Sequence, residues 1–145
     1  MISKHYIEAA IALGAEINVV YSGGSQPGSA RHIRPRALAK GLVRAECEGQ
    51  LKSFRMELLD LPLNTRDTEH EYRGIQDLLI REQRLILASG LAPVADRYHL
   101  VLHGTAGPAL SLGCSHGLWS VNGRRCGGFQ DAAEVFLAAL RIMTG

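Results

Sequence analysis

The sequence contains no apolar run approaching the roughly 20 residues that a membrane-spanning helix needs. It also lacks a basic start followed by an apolar secretory stretch. Together these absences predict a cytoplasmic protein with no membrane partner. The apolar fraction of 46% and the charged fraction of 21% indicate neither disorder nor a fibrous repeat. A length of 145 residues fits one domain, or two very small ones that share an interface.

Cysteine is scarce, and the three cysteines show no C-x-x-C spacing. Their odd number and scatter argue against a disulfide framework and against a structural zinc site, so we expect reduced, mostly buried thiols. The residues that could be imagined around a metal are His99, His103, Cys114, His116 and Cys126. In a strand, His99 and His103 would lie about 13 Å apart along one face, too far for one ion. The sequence therefore predicts neither a metal nor another cofactor.

Acidic residues are absent from Ile17 to Ala45. The basic residues of this stretch are Arg31, Arg34, Arg36, Lys40 and Arg44. A local positive potential of this kind attracts phosphates or nucleic acid. The alternative is a basic surface that only keeps the protein soluble.

The first 60 residues predict a helix followed by a curled antiparallel sheet. Ser3 is a candidate N-cap and Gly14 a candidate C-cap for the helix. From Ile17 the hydrophobic period changes to two, which is typical of a strand. The extended segments after the loop Ser22 to Ser29 are Arg31 to Leu38, Leu42 to Cys47 and Leu51 to Asp60. Lys40-Gly41 and Glu48-Gly49 separate them as turns.

The pattern changes after Pro62, where an irregular stretch, 63–71, precedes a helical pattern from Tyr72 to Ser89. The predicted strands that follow are Arg97 to His103, Ala109 to Gly113 and a pair around the turn Asn122-Gly123. Asp131 and Glu134 predict a capping pair for a last helix. The buried stripe expected for that helix is Phe136, Leu137, Leu140 and Met143. The predicted class is α+β, with a barrel-like module at 1–63 and an α-β-β-β-α half at 64–145, or one core shared by both.

Alternation along the predicted strands separates apolar from basic positions. Val43, Ala45 and Cys47 share a face, as do Phe54, Met56 and Leu58. Arg44 and Arg55 then project from the polar face, where cross-strand neighbours lie only about 5 Å apart. Two guanidinium groups that close repel each other unless an anion lies between them. Ion pairs with Glu46, Glu57 and Asp60 are the alternative, and such surface pairs contribute about 0 to 1 kcal/mol each.

The order and spacing of several residues resemble the WYL domain family of bacterial regulators. The matching residues are Tyr21, the glycine-containing loop, Arg31-His32-Ile33-Arg34-Pro35, Leu38, Val43 to Cys47, and Lys52-Ser53-Phe54-Arg55-Met56-Glu57. The resemblance implies a small Sm-like or SH3-like β-barrel, found in transcription factors as a sensor of nucleic acid or nucleotide-type ligands. It also implies that Tyr21, Arg31 and Arg55 contact the ligand.

We therefore expect a non-enzymatic regulatory protein that binds an anionic ligand, a nucleotide or nucleic acid, through Tyr21, Arg31, Arg44 and Arg55. The second half would pack or dimerise. Only one short helix precedes Ile17, so a DNA-binding partner protein would be needed to regulate transcription, unless the basic face itself binds nucleic acid. Gly41-Leu42-Val43 stands where the family has Trp-Tyr-Leu. This difference leaves open a structural or protein-interaction module without a ligand site.

Two further motifs lie in the second half. The string Gly113-Cys114-Ser115-His116-Gly117 matches the G-x-S-x-G pattern of serine hydrolases, but we expect a hairpin after it where that motif requires a helix. Trp119, with Arg124 and Arg125 nearby, predicts a secondary patch for single-stranded nucleic acid. A tryptophan that anchors the core is the alternative.

Overall fold

The computed structural model describes residues 2–62 and 71–144. The chain divides into two compact units, Met1–Thr68 and Glu69–Gly145. The predicted irregular stretch 63–71 and the predicted boundary at 63/64 lie almost entirely outside the described residues. An N-terminal helix, two antiparallel five-stranded sheets and a C-terminal helix confirm the α+β class.

The first unit begins with helix α1 (Lys4–Leu13), which packs against strand β2. The hydroxyl of Ser3 accepts a hydrogen bond from the Tyr6 N–H at 3.1 Å, and Gly14 ends the helix with a φ of 63°. Both predicted caps are confirmed.

An antiparallel sheet follows, in the order β4-β3-β2-β1-β5. Its strands are β1 (Ile17–Tyr21), β2 (Ser29–Ala39), β3 (Leu42–Cys47), β4 (Gln50–Arg55) and β5 (Leu59–Asp60). Lys40-Gly41 and Glu48-Gly49 form the predicted turns, with positive φ at all four residues. Within residues 2–62 the sheet stays open, with β4 and β5 at its edges, so the closed barrel that the resemblance implies is not observed.

The predicted strand Leu51 to Asp60 is wrong in its second half. Strand β4 ends at Arg55, and Met56–Leu58 form a 3-10 turn before β5. The turn carries the chain from the side of β3 to the side of β1, where Leu59 pairs with Tyr21. It also shifts the alternation, so that Leu59 is fully buried while Met56 and Leu58 are only half-buried.

One face of this sheet carries the core of the unit, and we call it the inner face. Its buried side chains, together with those of α1, are Ile7, Ala10, Ile17, Val19, Tyr21, Ile33, Val43, Ala45, Cys47, Phe54 and Leu59. The prediction that Val43, Ala45 and Cys47 of β3 share one face is confirmed, because all three are buried. The opposite, outer face carries exposed side chains, Arg44 among them.

The second unit holds a five-stranded antiparallel meander between helices. Its elements are α2 (Ile75–Arg81), α3 (Gln83–Ser89), β6 (Ala92–Ala95), β7 (His99–Gly104), β8 (Gly107–Ser115), β9 (Leu118–Val121), β10 (Arg124–Gly127) and α4 (Phe129–Thr144). Helix α4 contacts β8, β9, β10 and α3. The core between them includes Leu100, Leu102, Leu110, Leu112, Val121, Phe136 and Leu140. Within the described ranges, no helix is long and apolar enough to cross a membrane.

Four predictions for this unit need correction. The helix Tyr72 to Ser89 is two helices that meet at Glu82, whose carboxylate accepts a hydrogen bond from the Tyr72 hydroxyl. Five strands form where the sequence predicted four individual strands, because the edge strand β6 contains Pro93 and has four exposed residues, which gives no alternating signal.

The last helix starts at Phe129, so Asp131 lies in its first turn and is not the N-cap. Glu134 accepts a hydrogen bond from Gln130 at 3.0 Å. Met143, with 39% of its surface exposed, is not buried as predicted, because it lies in the final turn of α4.

Candidate anion-binding site

Arg31 lies on the inner face, although it is charged. Its partner in the register is the buried Val19 of β1. The guanidinium carbon is 5.4 Å from the centre of the Tyr21 ring and 5.9 Å from that of Phe54. The two rings meet edge to face at 5.1 Å. Arg31 Nε also donates to Ser29 Oγ at 3.3 Å, so ring contacts and a hydrogen bond fix this side chain.

The position of the Tyr21 ring is fixed by burial and by a hydrogen bond. Only 8% of its surface is exposed, and its hydroxyl accepts a hydrogen bond from the backbone N–H of Arg55 at 3.3 Å. Because β1 and β4 are not neighbours in the sheet, this bond crosses the inner face and requires the sheet to curl. The hydrogen bond and the burial fix the Tyr21 ring, and the guanidinium of Arg31 packs against this ring.

A polar hollow of about 630 Å³ opens beside Arg31, and we call it the basic pocket. Lys52 lies in its wall, and its register partner on β3 is the buried Ala45, which places Lys52 on the inner face as well. Residues 2–62 provide no carboxylate within ion-pair distance of Arg31 or Lys52. Two cations without an acidic partner thus share one hollow.

The remaining wall of the basic pocket is polar. Ser25, Gln26 and Ser29 contribute uncharged hydrogen-bonding groups, while Glu16 and Glu48 contribute carboxylates. His32 Nδ1 lies 3.6 Å from Glu16 Oε1, so an imidazole lies beside one of the two carboxylates. The pocket can accept a compact anion through a planar guanidinium and an ammonium.

Arg44 and Arg55 lie elsewhere. The register sets Arg44 opposite Ser53 and Arg55 opposite Leu42, so the two arginines are diagonal neighbours on the outer face. Arg55 Nη2 lies 2.5 Å from Glu57 Oε1, and Arg55 lines a separate hollow of about 320 Å³. The structure therefore brings Tyr21 and Arg31 together but leaves the side chains of Arg44 and Arg55 outside the basic pocket.

Ion pairs with neighbouring acids were the alternative to a bound anion, and on part of this outer face such pairs are present. Arg36 Nη2 lies 2.9 Å from Glu46 Oε1, in addition to the pair of Arg55 with Glu57. Arg44 has no ion pair with any carboxylate in the described part of the chain. Two of the outer arginines, Arg36 and Arg55, are thus paired with neighbouring acids, whereas Arg31 has no such pair within residues 2–62.

Sequence reasoning missed Lys52 and Phe54 as parts of the site. Both lie on β4 two residues apart, and Phe54 is buried while Lys52 is half-buried. Lys52 and Phe54 alternate in step with the buried positions of the neighbouring strands, which places them on the same face. This alternation could have revealed a lysine on the apolar face.

The predicted secondary patch does not form one surface. Trp119 meets the Phe129 ring edge to face at 4.7 Å. Arg124 pairs with Val121 and Arg125 with Ser120, so the two arginines project to opposite faces of the sheet. At most one of them can share a face with Trp119.

The hydrolase-like string itself forms a turn between β8 and β9, which the sequence did not predict, and the predicted hairpin follows it as β9 and β10. Ser115 ends β8 and pairs with Leu118, and His116-Gly117 makes a two-residue turn into β9. The strand-to-helix elbow of G-x-S-x-G hydrolases is therefore absent at this place. Among residues 2–62 and 71–144, no three His, Cys, Asp or Glu side chains converge as metal ligands.

Comparisons with protein-family models, with curated proteins and with solved structures found no match to this chain.

Proposed function

We propose that the first unit is a non-enzymatic ligand-binding module that recognises a phosphate-bearing anion, a nucleotide or a nucleic acid, in the basic pocket. The observation that carries this proposal is Arg31. It is a half-buried arginine stacked on two aromatic rings, without an acidic partner in residues 2–62 and beside a second unpaired cation, Lys52. Desolvated cations are costly unless an anion compensates them, so a ligand would relieve that cost.

The roles in this proposal differ from residue to residue. Arg31 offers its free N–H groups in a planar fork that suits a phosphate, and Lys52 adds a mobile positive charge. Tyr21 and Phe54 orient Arg31 and do not offer free ring faces for base stacking, since both rings are largely buried. The spacing that resembles WYL domains supports the roles of Tyr21 and Arg31, and on that resemblance we extend the proposal to a regulatory protein.

The test uses Arg31→Ala and Lys52→Ala, with Arg44→Ala as the matched control. Like Arg31, Arg44 is a sheet arginine without an ion pair in the described part of the chain, but it is exposed and lies on the outer face, so the control removes the same charge away from the pocket. Binding is measured by the anisotropy of a labelled oligothymidylate and of a labelled nucleotide at several salt concentrations. Circular dichroism checks that each variant folds.

We expect Arg31→Ala to weaken binding about tenfold or more, as loss of a charge-assisted hydrogen bond does. The slope of log affinity against log salt should also fall by about one for an oligonucleotide. Arg44→Ala should change affinity less than about twofold. Equal losses in Arg31→Ala and Arg44→Ala would contradict the site and indicate diffuse electrostatic binding.

A structural or protein-interaction module is the second candidate. The pairs Arg55–Glu57 and Arg36–Glu46 favour it, because they pair two outer-face arginines with acids of the same chain. If the wild-type protein binds neither probe even at low salt, this second function is the better one.

A further inference from the structure

The second unit contains a groove of about 570 Å³ with an aromatic wall. The chain has only eight aromatic residues, and four of them line this groove: Tyr72, Tyr98, Trp119 and Phe129. The Tyr98 ring is 50% exposed, and Trp119 and Phe129 are half-buried. Tyr72 is only 6% exposed, so the accessible rings of the groove are Tyr98, Trp119 and Phe129. Accessible aromatic rings in a concave surface are typical of a ligand-binding site.

Two arginines stand at the groove, Arg73 and Arg97. The guanidinium carbon of Arg97 lies 5.4 Å from the centre of the Tyr98 ring, so the cation is held at the aromatic wall. In the described parts of the chain, neither arginine forms an ion pair with a carboxylate. Their charges therefore remain available to a ligand.

The acids of the groove are already engaged. Asp77 Oδ2 lies 3.3 Å from Arg81 Nε and also accepts a hydrogen bond from the Arg73 backbone N–H at 3.4 Å. Asp96 Oδ1 accepts hydrogen bonds from the N–H groups of Tyr98 and His99, both at 2.8 Å. Local donors thus bind these two carboxylates, whereas neither arginine has an acidic partner in the described part of the chain.

We propose that this groove binds a small aromatic anion, with the ring of the ligand against Trp119, Phe129 and Tyr98 and its carboxylate or phosphate at Arg73 and Arg97. The site is separate from the basic pocket of the first unit, and it does not depend on the function proposed for that unit. The apolar wall and the unpaired cations together select for a molecule that carries both a ring and a negative charge.

Trp119 is the only tryptophan of the protein, so its fluorescence reports directly on the groove. The probe is 3-phenylpropionate, which does not absorb at an excitation wavelength selective for tryptophan, and 3-phenylpropanol is its uncharged counterpart. The full chain is titrated with each probe. We expect a saturable change with the acid and a markedly weaker response to the alcohol.

The double variant Arg73→Gln/Arg97→Gln should weaken binding of the acid about tenfold and leave binding of the alcohol unchanged. Arg84→Gln is the matched control, because Arg84 is an exposed arginine of α3 that does not line the groove. Arg31→Ala should leave the titration unchanged, which separates a failure of this inference from a failure of the basic pocket.

Three results would overturn the inference: no saturable response to 3-phenylpropionate, equal affinity for acid and alcohol, or equal losses in the control and the double variant. An oligothymidylate that changes Trp119 fluorescence where 3-phenylpropionate does not would also overturn it, in favour of a nucleic-acid surface.

Discussion

Tyr72 shows how a single residue can tie the second unit together. Only 6% of its surface is exposed, its hydroxyl donates to Glu82, and its backbone N–H donates to Gln130 Oε1 at 2.9 Å. Tyr72 thereby connects the junction between α2 and α3 with the first turn of α4. Burial raises the pKa of Tyr72 far above its usual range, and the hydrogen bond to Glu82 and the negative charges of Glu82 and Glu134 raise it further.

This shift predicts a loss of stability at alkaline pH. Above a pH of about 10, Tyr72 ionises in the unfolded chain but stays protonated in the folded one. The folded state then binds more protons, so the free energy of unfolding should fall by up to about 1.4 kcal/mol per pH unit. We expect Tyr72→Phe to lack this part of the slope when urea unfolding is followed at pH 9, 10 and 11.

Tyr98→Phe is the control for that measurement. The Tyr98 ring is half-exposed and its hydroxyl has no hydrogen bond within the described residues, so this variant should keep the wild-type slope. A Tyr72→Phe protein that loses stability with pH as steeply as the wild type would show that Tyr72 is not the group responsible.

Some individual residues of the candidate anion site could be predicted from the sequence. Spacing and charge identified Tyr21 and Arg31, which the structure brings together. For Arg55 the sequence left open a ligand contact or an ion pair with Glu57, and the ion pair forms because the 3-10 turn Met56–Leu58 carries Glu57 to the Arg55 side chain. The alternation of apolar and polar residues continues through Met56–Leu58, so the sequence predicted a strand there. A local pattern of this kind does not show where a strand changes its pairing partner.

At the scale of elements, the two-residue turns were the most reliable signal. A residue with φ near 50° followed by glycine occurs at the predicted turns Lys40-Gly41, Glu48-Gly49 and Asn122-Gly123, and also at His116-Gly117, which was not predicted. Such turns match the twist of the strands they join, so short sequences determine them. Strand β6 escaped prediction because it borders the sheet, is exposed, and owes its extended shape to pairing with β7.

Asn122 contributes more than a turn conformation. Its Oδ1 accepts a hydrogen bond from the Ser111 backbone N–H at 2.8 Å, which attaches the β9–β10 turn to strand β8. We expect Asn122→Ala to lower the free energy of unfolding by about 1 to 2 kcal/mol, since it leaves that N–H without its partner and places alanine at positive φ. Urea unfolding followed by Trp119 fluorescence measures the change.

His116→Ala is the matched control for Asn122→Ala. His116 occupies the same turn position with a φ of 53°, but its exposed side chain makes no hydrogen bond within residues 71–144. It should therefore lose less stability than Asn122→Ala. Equal losses would mean that the backbone conformation, and not the bond to Ser111, determines the cost.

At the scale of the whole molecule, each unit has a core of its own. Phe54 is 2% exposed in the first unit, and Phe136 is 1% exposed in the second. The change of hydrophobic pattern after Pro62 indicated two halves, but sequence patterns could not show that the first sheet stays open, because closure depends on contacts between strands distant in the chain.

Separate cores predict separable unfolding. Phe54→Ala should destabilise the first unit by about 3 to 5 kcal/mol, because it leaves a cavity among packed neighbours. Far-UV circular dichroism should then show an earlier transition, while the unfolding midpoint reported by Trp119, which belongs to the second unit, stays where it is in the wild type. Phe136→Ala should do the reverse and lower the Trp119 midpoint. If Phe54→Ala lowers both midpoints equally, the two cores unfold as one cooperative structure, and the free energies predicted above for Tyr72 and Asn122 would describe the whole chain and not one unit.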